Sequence, residues 1–375
     1  MKKVWSYVKV MMTNWWWTVD RPLLFALTAL ILAGVFLTFS ASPGVAERIG
    51  ASDMYYFIKR QLIFLVPATG LMFFMSFLPP KNVRRLAVLV FLVSLVLLFL
   101  TLLKGVDIKG GKRWVYVFGF SLQPSEFMKP AFAIVCAWIL ASGRLIKNFP
   151  AKTIITIAFS VIIALLLLQP DLGMSITLSA IYGIELFLAG LPIFVIFLLG
   201  LLGVFGLGGA YFMFDHVKSR IDRFLNPQTG DMYQVSKSLE AFRNGGWFGL
   251  GPGEGIVKAS LPDAHTDFIM AVVAEEFGFI LCCLLLFIFA FIICRGFLLI
   301  MKETNLFTIL AGAGLLTQFG VQVVINVAST LHLIPTKGMT LPFISYGGSS
   351  LISIAFGMGA LLSLTRLHPK KGDFE

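Results

Sequence analysis

Ten runs of apolar residues, each about as long as a helix needs to cross a bilayer, recur along this 375-residue chain and dictate what it can become. Charged residues and Pro/Gly punctuation place them near 22–40, 61–78, 86–103, 127–142, 154–168, 174–189, 191–214, 268–294, 306–328 and 346–365. Only Gly190, Leu191 and Pro192 interrupt the apolar run between the sixth and seventh. With 58% hydrophobic and 13% charged residues and a mean hydropathy of +0.89, a water-soluble fold is excluded. The expected fold is an all-α integral membrane protein of about ten transmembrane helices, a single domain over residues 1–375. It divides into an N-terminal segment (1–21), a large extracytoplasmic loop between the seventh and eighth helices (215–265) and a C-terminal tail (366–375). Ser40, Ala41 and Ser42 imitate a signal-peptidase site, but the 19-residue run before them exceeds a cleavable core of about 7–15 residues, so a retained first helix is expected.

An even number of spans puts both termini on one side, and charge says which. Fifteen of the 30 Lys and Arg lie with the termini, beside four acids; the other fifteen lie opposite with fourteen acids. The opposite segments are about twice as long, so basic density is higher beside the termini, which the positive-inside rule makes cytoplasmic. The formal charge of +11 thus reports orientation against an anionic leaflet, and nucleic acid is not an expected partner. The four cysteines (Cys136, Cys282, Cys283, Cys294) lack zinc-site spacing and are read as core thiols. Within the long outer loop, Met232, Val235, Leu239 and Phe242 recur at helical spacing up to Gly245-Gly246, which predicts an amphipathic helix.

Polar motifs gather on the face opposite the termini. Lys112-Arg113-Trp114 precedes Gln123-Pro124-Ser125-Glu126-Phe127-Met128-Lys129 at the fourth span; Glu126 and Lys129, at i and i+3, share a face and can pair, for structure or for function. Asp171, in Gln169-Pro170-Asp171-Leu172-Gly173, could cap the next helix or meet a substrate or cation. Arg220 and Arg223, just outside the seventh span, suit phosphate or carboxylate, or a lipid headgroup. The glycines from Gly245 to Gly255 could form an anion-cradling nest or a close-packed loop. The strongest constellation runs from Lys258 through His265 and Asp267 to Glu275 and Glu276: Asp267 is the last ionisable group before the eighth span, where apolar surroundings favour a general base. Lys337 and the Ser345-Tyr346-Gly347-Gly348-Ser349-Ser350 segment enter the last span by an irregular, Pro- and Gly-rich stretch that could meet a ligand. No Ser/His/Asp nucleophile set or metal-ligating His cluster is readable.

Taken in order, these motifs resemble the SEDS family (shape, elongation, division and sporulation proteins: FtsW, RodA, SpoVE) over nearly the whole chain, and within it the division member more than RodA. The resemblance implies a peptidoglycan glycosyltransferase that polymerises lipid II at the outer face of the cytoplasmic (inner) membrane, at the division septum. It implies a class B penicillin-binding transpeptidase and other divisome membrane proteins as partners, and it maps the family's essential acid onto Asp267. Family motif positions fall likewise on Glu126, Lys129, Asp171, Arg223 and Lys337. Lys112, Arg113, Arg220, Arg223, Lys258 or Lys337 would then neutralise a departing pyrophosphate. No organic cofactor is expected; a divalent cation (Mg or Mn) near Asp267 is compatible with hard-cation chemistry. A lipid II flippase, an elongation-specific polymerase and a non-catalytic scaffold are the alternatives.

Overall fold

A computed structural model of the chain describes residues 2–48, 50, 53–108, 111–117, 119–213, 218, 222, 224, 233–335 and 338–367. Each of the ten expected spans coincides with a helix: α2 (Arg21–Arg48), α3 (Tyr56–Phe77), α4 (Pro80–Lys104), α5 (Pro124–Leu145), α6 (Ala151–Leu168), α7 (Leu172–Leu188) and α8 (Ile193–Met213), then α11 (Ile269–Ile300), α12 (Leu306–Thr330) and α13 (Gly348–Leu364). Seven are long and apolar enough to cross a membrane on those criteria alone; α7 and α13 are shorter apolar helices, and α8 contains a further apolar stretch, Ile193–Gly203.

Helices α5, α12 and α13 form the centre of the bundle, buried along nearly their whole length. Helices α4 and α6 instead present one row of buried residues and expose Leu, Val and Phe elsewhere, as lipid-facing helices do. Helix α13 lies closest to α3, and Gly359 makes this approach possible: a Cβ there would sit 2.5 Å from the Met72 carbonyl oxygen. In α11, Cys283 and Cys294 are exposed on the outward surface, so only Cys136 and Cys282 are core thiols.

Three features depart from the sequence reading. The N-terminal segment is itself helical, α1 (Lys2–Thr18), and Trp15 anchors it, its indole donating to Ser76 Oγ at 3.0 Å and its ring 4.9 Å from that of Phe77. Both ends of the described chain meet there, since Leu367 N donates to Thr18 O at 2.9 Å and Arg366 Nε to Thr18 Oγ1 at 3.0 Å. The link between α4 and α5 is a small antiparallel meander, β1 (Val106–Ile108), β2 (Gly111–Val117) and β3 (Phe120–Leu122), in which Val106 pairs with Trp114 and Tyr116 with Ser121. It adds strands to a fold expected to be all helix.

The third departure concerns the eighth span, which is broken at Gly278 (φ 79°, ψ −179°). The glycine-rich loop is spliced into the break: Leu250 N and Gly251 N donate to the carbonyls of Glu275 and Glu276, while Phe279 N donates to Gly246 O, each at 2.9 Å. Gly278 is required twice over, by its left-handed φ and because a Cβ would lie 2.4 Å from Trp247 O. Residues 279–300 alone rise about 33 Å, enough for a hydrocarbon core of about 30 Å. The segment before the break, carrying Glu275 and Glu276, can therefore sit at the membrane boundary instead of inside it. The predicted amphipathic helix is present as α9 (Tyr233–Gly245), and a single turn, α10 (Val257–Ser260), follows the glycine loop.

Candidate functional site

At the end of the bundle opposite the chain termini lies a cleft of about 410 Å³, within the usual range for ligand sites. Asp267, Asp263 and Glu126 line it together with Arg60, Arg113, Trp114 and Tyr346. These residues come from five chain segments, so the cleft exists only in the folded bundle.

Asp267 owes its position to a tight turn. Asp263 adopts a left-handed conformation (φ 56°), which short polar side chains tolerate, and its carbonyl accepts from Thr266 N at 3.0 Å, Thr266 Oγ1 at 3.1 Å and Phe268 N at 3.3 Å. The turn folds back so that both aspartates reach the cleft. Asn326 of α12 then ties two segments together: its Nδ2 donates to Asp267 O at 2.9 Å and to Met339 O at 2.6 Å. Ser345 Oγ donates to Thr266 O at 2.6 Å, and Tyr346 N to His265 O at 2.9 Å. Gly338 lies so close that a Cβ there would be 2.7 Å from Asp267 Oδ2.

Glu126 and Lys129 form the predicted pair, with Lys129 Nζ 2.8 Å from Glu126 Oε2. Lys129 is fully buried and also donates to Gln322 Oε1 at 2.9 Å, while Gln322 Nε2 donates to Thr340 O at 2.9 Å. Only Glu126 of the pair lines the cleft; Lys129 acts behind it, holding the carboxylate and linking α5 to α12 and to the loop before α13. That correction has a simple cause, since Lys129 points one helical turn deeper into a bundle where a cation needs partners on every side.

Arg113 is docked on the turn between α6 and α7, donating from Nε to Gln169 O at 3.1 Å and from Nη2 to Pro170 O at 2.5 Å. Its Nε is also 3.9 Å from Asp171 Oδ2. Asp171 is buried and caps α7 through Met174 N at 3.5 Å, which is the capping alternative, and it also faces the Arg113 guanidinium; it is not among the cleft-lining residues. Lys112 is exposed and does not line the cleft.

Lys258 is corrected more strongly. It is buried away from the cleft, with its ammonium against Glu276, which Ser40 Oγ also contacts, and donating to Gly253 O at 2.9 Å. Glu275 accepts backbone N–H groups from Ile256 at 3.0 Å, Val257 at 2.8 Å and Lys258 at 3.2 Å. Of the two readings of the glycine stretch, the close-packed loop holds, since Gly245 and Gly249 lie against the backbone of residues 274–277; the backbone N–H groups that receive a carboxylate are those of 256–258, just beyond it, and the protein's own Glu275 fills them. Glu275 and Glu276 are therefore fasteners of the loop that leads to Asp267. His265 is buried too, its ring 4.0 Å from that of Phe57. Arg220, Arg223 and Lys337 lie outside the described residues.

Sequence reading missed Arg60, Gln322 and Asn326. Arg60 sits 5.1 Å from the Tyr56 ring and beside the Tyr346 phenol, whose pKa burial pushes above its ordinary value while Arg60 partly opposes the rise. The amides did leave a signal: Gln318, Gln322 and Asn326 recur every four residues inside an apolar span, one polar stripe on a buried face.

Among the described residues no group of three or more His, Cys, Asp or Glu could by itself hold a metal ion. A hard cation there would have to draw on Asp267 and on oxygens brought by a ligand.

A family model described as cell cycle protein, FtsW–RodA–SpoVE, matches residues 21–370. The chain belongs to this family. Among its relatives, the probable peptidoglycan glycosyltransferase FtsW of Caulobacter vibrioides (strain NA1000 / CB15N) is 43% identical, covering 95% of this chain and 91% of the relative. Stage V sporulation protein E of Bacillus subtilis (strain 168) is 35% identical over 92% of this chain and 96% of its own length. Among solved structures, a chain of a peptidoglycan synthase complex, described for its coordination of polymerization and crosslinking, superposes with a TM-score of 0.75 at 27% identity, covering 92% of this chain and 97% of that one. The rod shape determining protein RodA of Thermus thermophilus gives 0.69 at 28% identity, covering 92% and 96%. The family's multi-pass membrane architecture is that of the ten-helix bundle described above.

Proposed function

We propose that this family member is a peptidoglycan glycosyltransferase that polymerises lipid II on the outer face of the cytoplasmic membrane during cell division, with Asp267 as its general base. The observation that carries this reading is the convergence of Asp267 with Arg60 and Arg113 on one cleft at the end of the bundle remote from the termini. Relatives named as glycosyltransferases, 43% and 38% identical along almost the full chain, support it.

The chemistry asks for opposite charges on the two sides of one carbon. An acceptor sugar hydroxyl attacks the anomeric carbon of the donor, a new C–O bond forms, and the bond to undecaprenyl pyrophosphate breaks with its electron pair leaving on the phosphate oxygen. Asp267 takes the hydroxyl proton, and Arg60 and Arg113 offset the charge that grows on the leaving group. Arg113 is suited to this because the Gln169 and Pro170 carbonyls fix its orientation before substrate arrives. Glu126, held by Lys129, adds an acceptor for sugar hydroxyls on the cleft wall. A bound Mg or Mn ion would add charge compensation between Asp267 and the substrate phosphates. Arg220, Arg223 and Lys337 are retained as substrate ligands on their charge and place in the sequence, Arg223 and Lys337 also on the resemblance.

Partnership with a class B penicillin-binding transpeptidase and placement at the septum belong to the same proposal, supported by the likeness to a chain from a peptidoglycan synthase complex and by the relatives' names. The flippase alternative needs charged groups along a path through the membrane. Glu185, the acid in mid-span, is instead fully buried, its carboxylate packed against Gly314. Purified protein given labelled lipid II should make glycan strands, with and without the transpeptidase, and Asp267→Asn should abolish them while leaving membrane insertion unchanged. Full synthesis by Asp267→Asn, or lipid II translocation without polymer, would overturn the assignment.

A further inference from the structure

A second hollow, of about 520 Å³, opens at the terminal end of the bundle, where α4 begins, α5 ends and α12 begins. Lys81, Arg84 and Arg144 line it with Trp138, Ser142 and Asn305, and no carboxylate does. Among the described residues none of the three cations makes an ion pair. Glu303, the nearest acid in sequence, is half-buried and outside the lining.

The positive-inside bias accounts for basic residues on this side but not for their convergence on one concavity. A general attraction to an anionic leaflet is served by mobile side chains, and two of these heads are held. The Arg84 guanidinium carbon lies 5.0 Å over the Trp138 ring. Arg144 Nη2 donates to Ala189 O at 2.9 Å, and the turn that receives it is shaped for it: at Gly190 (φ 93°) a Cβ would be 2.8 Å from the same nitrogen. Arg144 also lines an adjoining hollow of about 270 Å³ with Lys152, so the positive surface continues toward α6. Three like charges facing one space are at their most stable with an anion between them, and fixed guanidinium forks match phosphate oxygens in particular.

We propose that this hollow is a binding site for a phosphate-bearing anion, held by Arg84, Arg144 and Lys81 and supplied by a phospholipid headgroup of the cytoplasmic leaflet. Its location at the ends of three membrane helices is where headgroups lie, and Trp138 offers the apolar edge that an acyl-glycerol backbone requires. The site is remote from the cleft, so it rests on the orientation of the bundle and not on the reaction.

Native mass spectrometry of the full-length protein, released from micelles containing phosphatidylglycerol or phosphatidylethanolamine, tests it. The unmodified chain should retain phosphatidylglycerol preferentially. Arg84→Gln with Arg144→Gln should lower that retention about 25-fold, from a factor of about five for each basic group near the surface. Lys81→Gln, at an exposed position where folding is not at stake, should lower it about fivefold, and Lys237→Gln in the outer loop should leave it unchanged. Thermal melting in inorganic phosphate against chloride at equal ionic strength separates the sources. Stabilisation by phosphate that is lost in Arg84→Gln, without lipid retention, would keep the anion site and reject the lipid. Equal retention of both lipids, or equal retention by the unmodified chain and all three variants, with no phosphate effect, would overturn the site.

Discussion

Replacing Gly338 by Ala changes no charge and removes no hydrogen-bonding group, yet it should slow polymerisation. The new methyl would stand 2.7 Å from Asp267 Oδ2, about 0.7 Å inside ordinary contact. Gly338 is exposed and does not have a left-handed φ, so alanine adds neither strain nor a core clash, and the carboxylate is the group that must give way. A misplacement of about 1 Å at a reacting group costs about a hundredfold in rate, so 0.7 Å on the same logarithmic scale costs about 25-fold, or about 2 kcal/mol in barrier. Initial rates of glycan synthesis by Gly338→Ala, at saturating lipid II, should therefore fall between those of the parent and Asp267→Asn. Melting should be unchanged. Gly183→Ala in α7, where no atom lies within 4 Å of the new methyl, should synthesise at the parental rate. A fully active Gly338→Ala enzyme would mean that the position of Asp267 is not what limits the reaction.

Lys129→Met strands a buried glutamate and leaves Gln322 without its donor, and should cost about 3–5 kcal/mol; adding Glu126→Gln should recover most of that, read as a thermal-melt double-mutant cycle. Recovery should extend to stability but not to activity, because Glu126 lines the cleft. Lys258→Met should destabilise by a similar amount through Glu276 and loosen the 250–261 loop, visible as faster amide exchange at Leu250 and Gly251. Tyr346 has a folded pKa raised by burial, so its contribution is complete below the unfolded value of about 10 and is lost as pH rises through the folded value; Tyr346→Phe should flatten the alkaline loss of stability.

The spans were legible because hydrocarbon admits few alternatives to a helix of about 20 apolar residues, and every predicted run became one. What was illegible shares one cause: the role of a polar residue depends on which partner the fold brings to it. Lys258 read as a free cation, but Glu276 eighteen residues later neutralises it; Lys129, whose pairing with Glu126 was legible from the i, i+3 spacing, lies behind the cleft and not in its lining. Glu275 read as part of the site because spacing placed it two helical turns beyond Asp267; the break at Gly278, which only a left-handed φ reveals, turns it into the clasp of the glycine loop. Arg60 was passed over because a cation at the head of a span looks like a boundary marker. Asp267 and Arg113 each had a local explanation in the sequence, a helix N-cap for the first and a membrane-interface belt for the second, and only the fold brings both into the cleft lining.

These fasteners bear on how the carboxylate proposed as the base can be held at a membrane surface without a rigid sheet beneath it. The Asp267 turn has three supports, each from a different source: Asn326 from the central helix α12, Ser345 from the strap that enters α13, and the Glu275–Glu276 clasp through the loop that precedes it. All three act on backbone atoms of this segment, and Asp267 itself lines the cleft. The clasp also reaches α2 through Ser40, and the same helix packs on the strap before α13, where its Gly34 meets the backbone of Phe343 and Ile344. A shift of α2 or of the loop, imposed by a membrane partner, would therefore be felt at Asp267 through Glu276 without any contact to substrate. By the same logic Ser40→Ala, which spares every cleft residue, should leave basal polymerisation near the parental rate. Its deficit should appear only in the extra rate gained when the transpeptidase is added. An unaltered gain would show that the link from α2 to the clasp is packing alone.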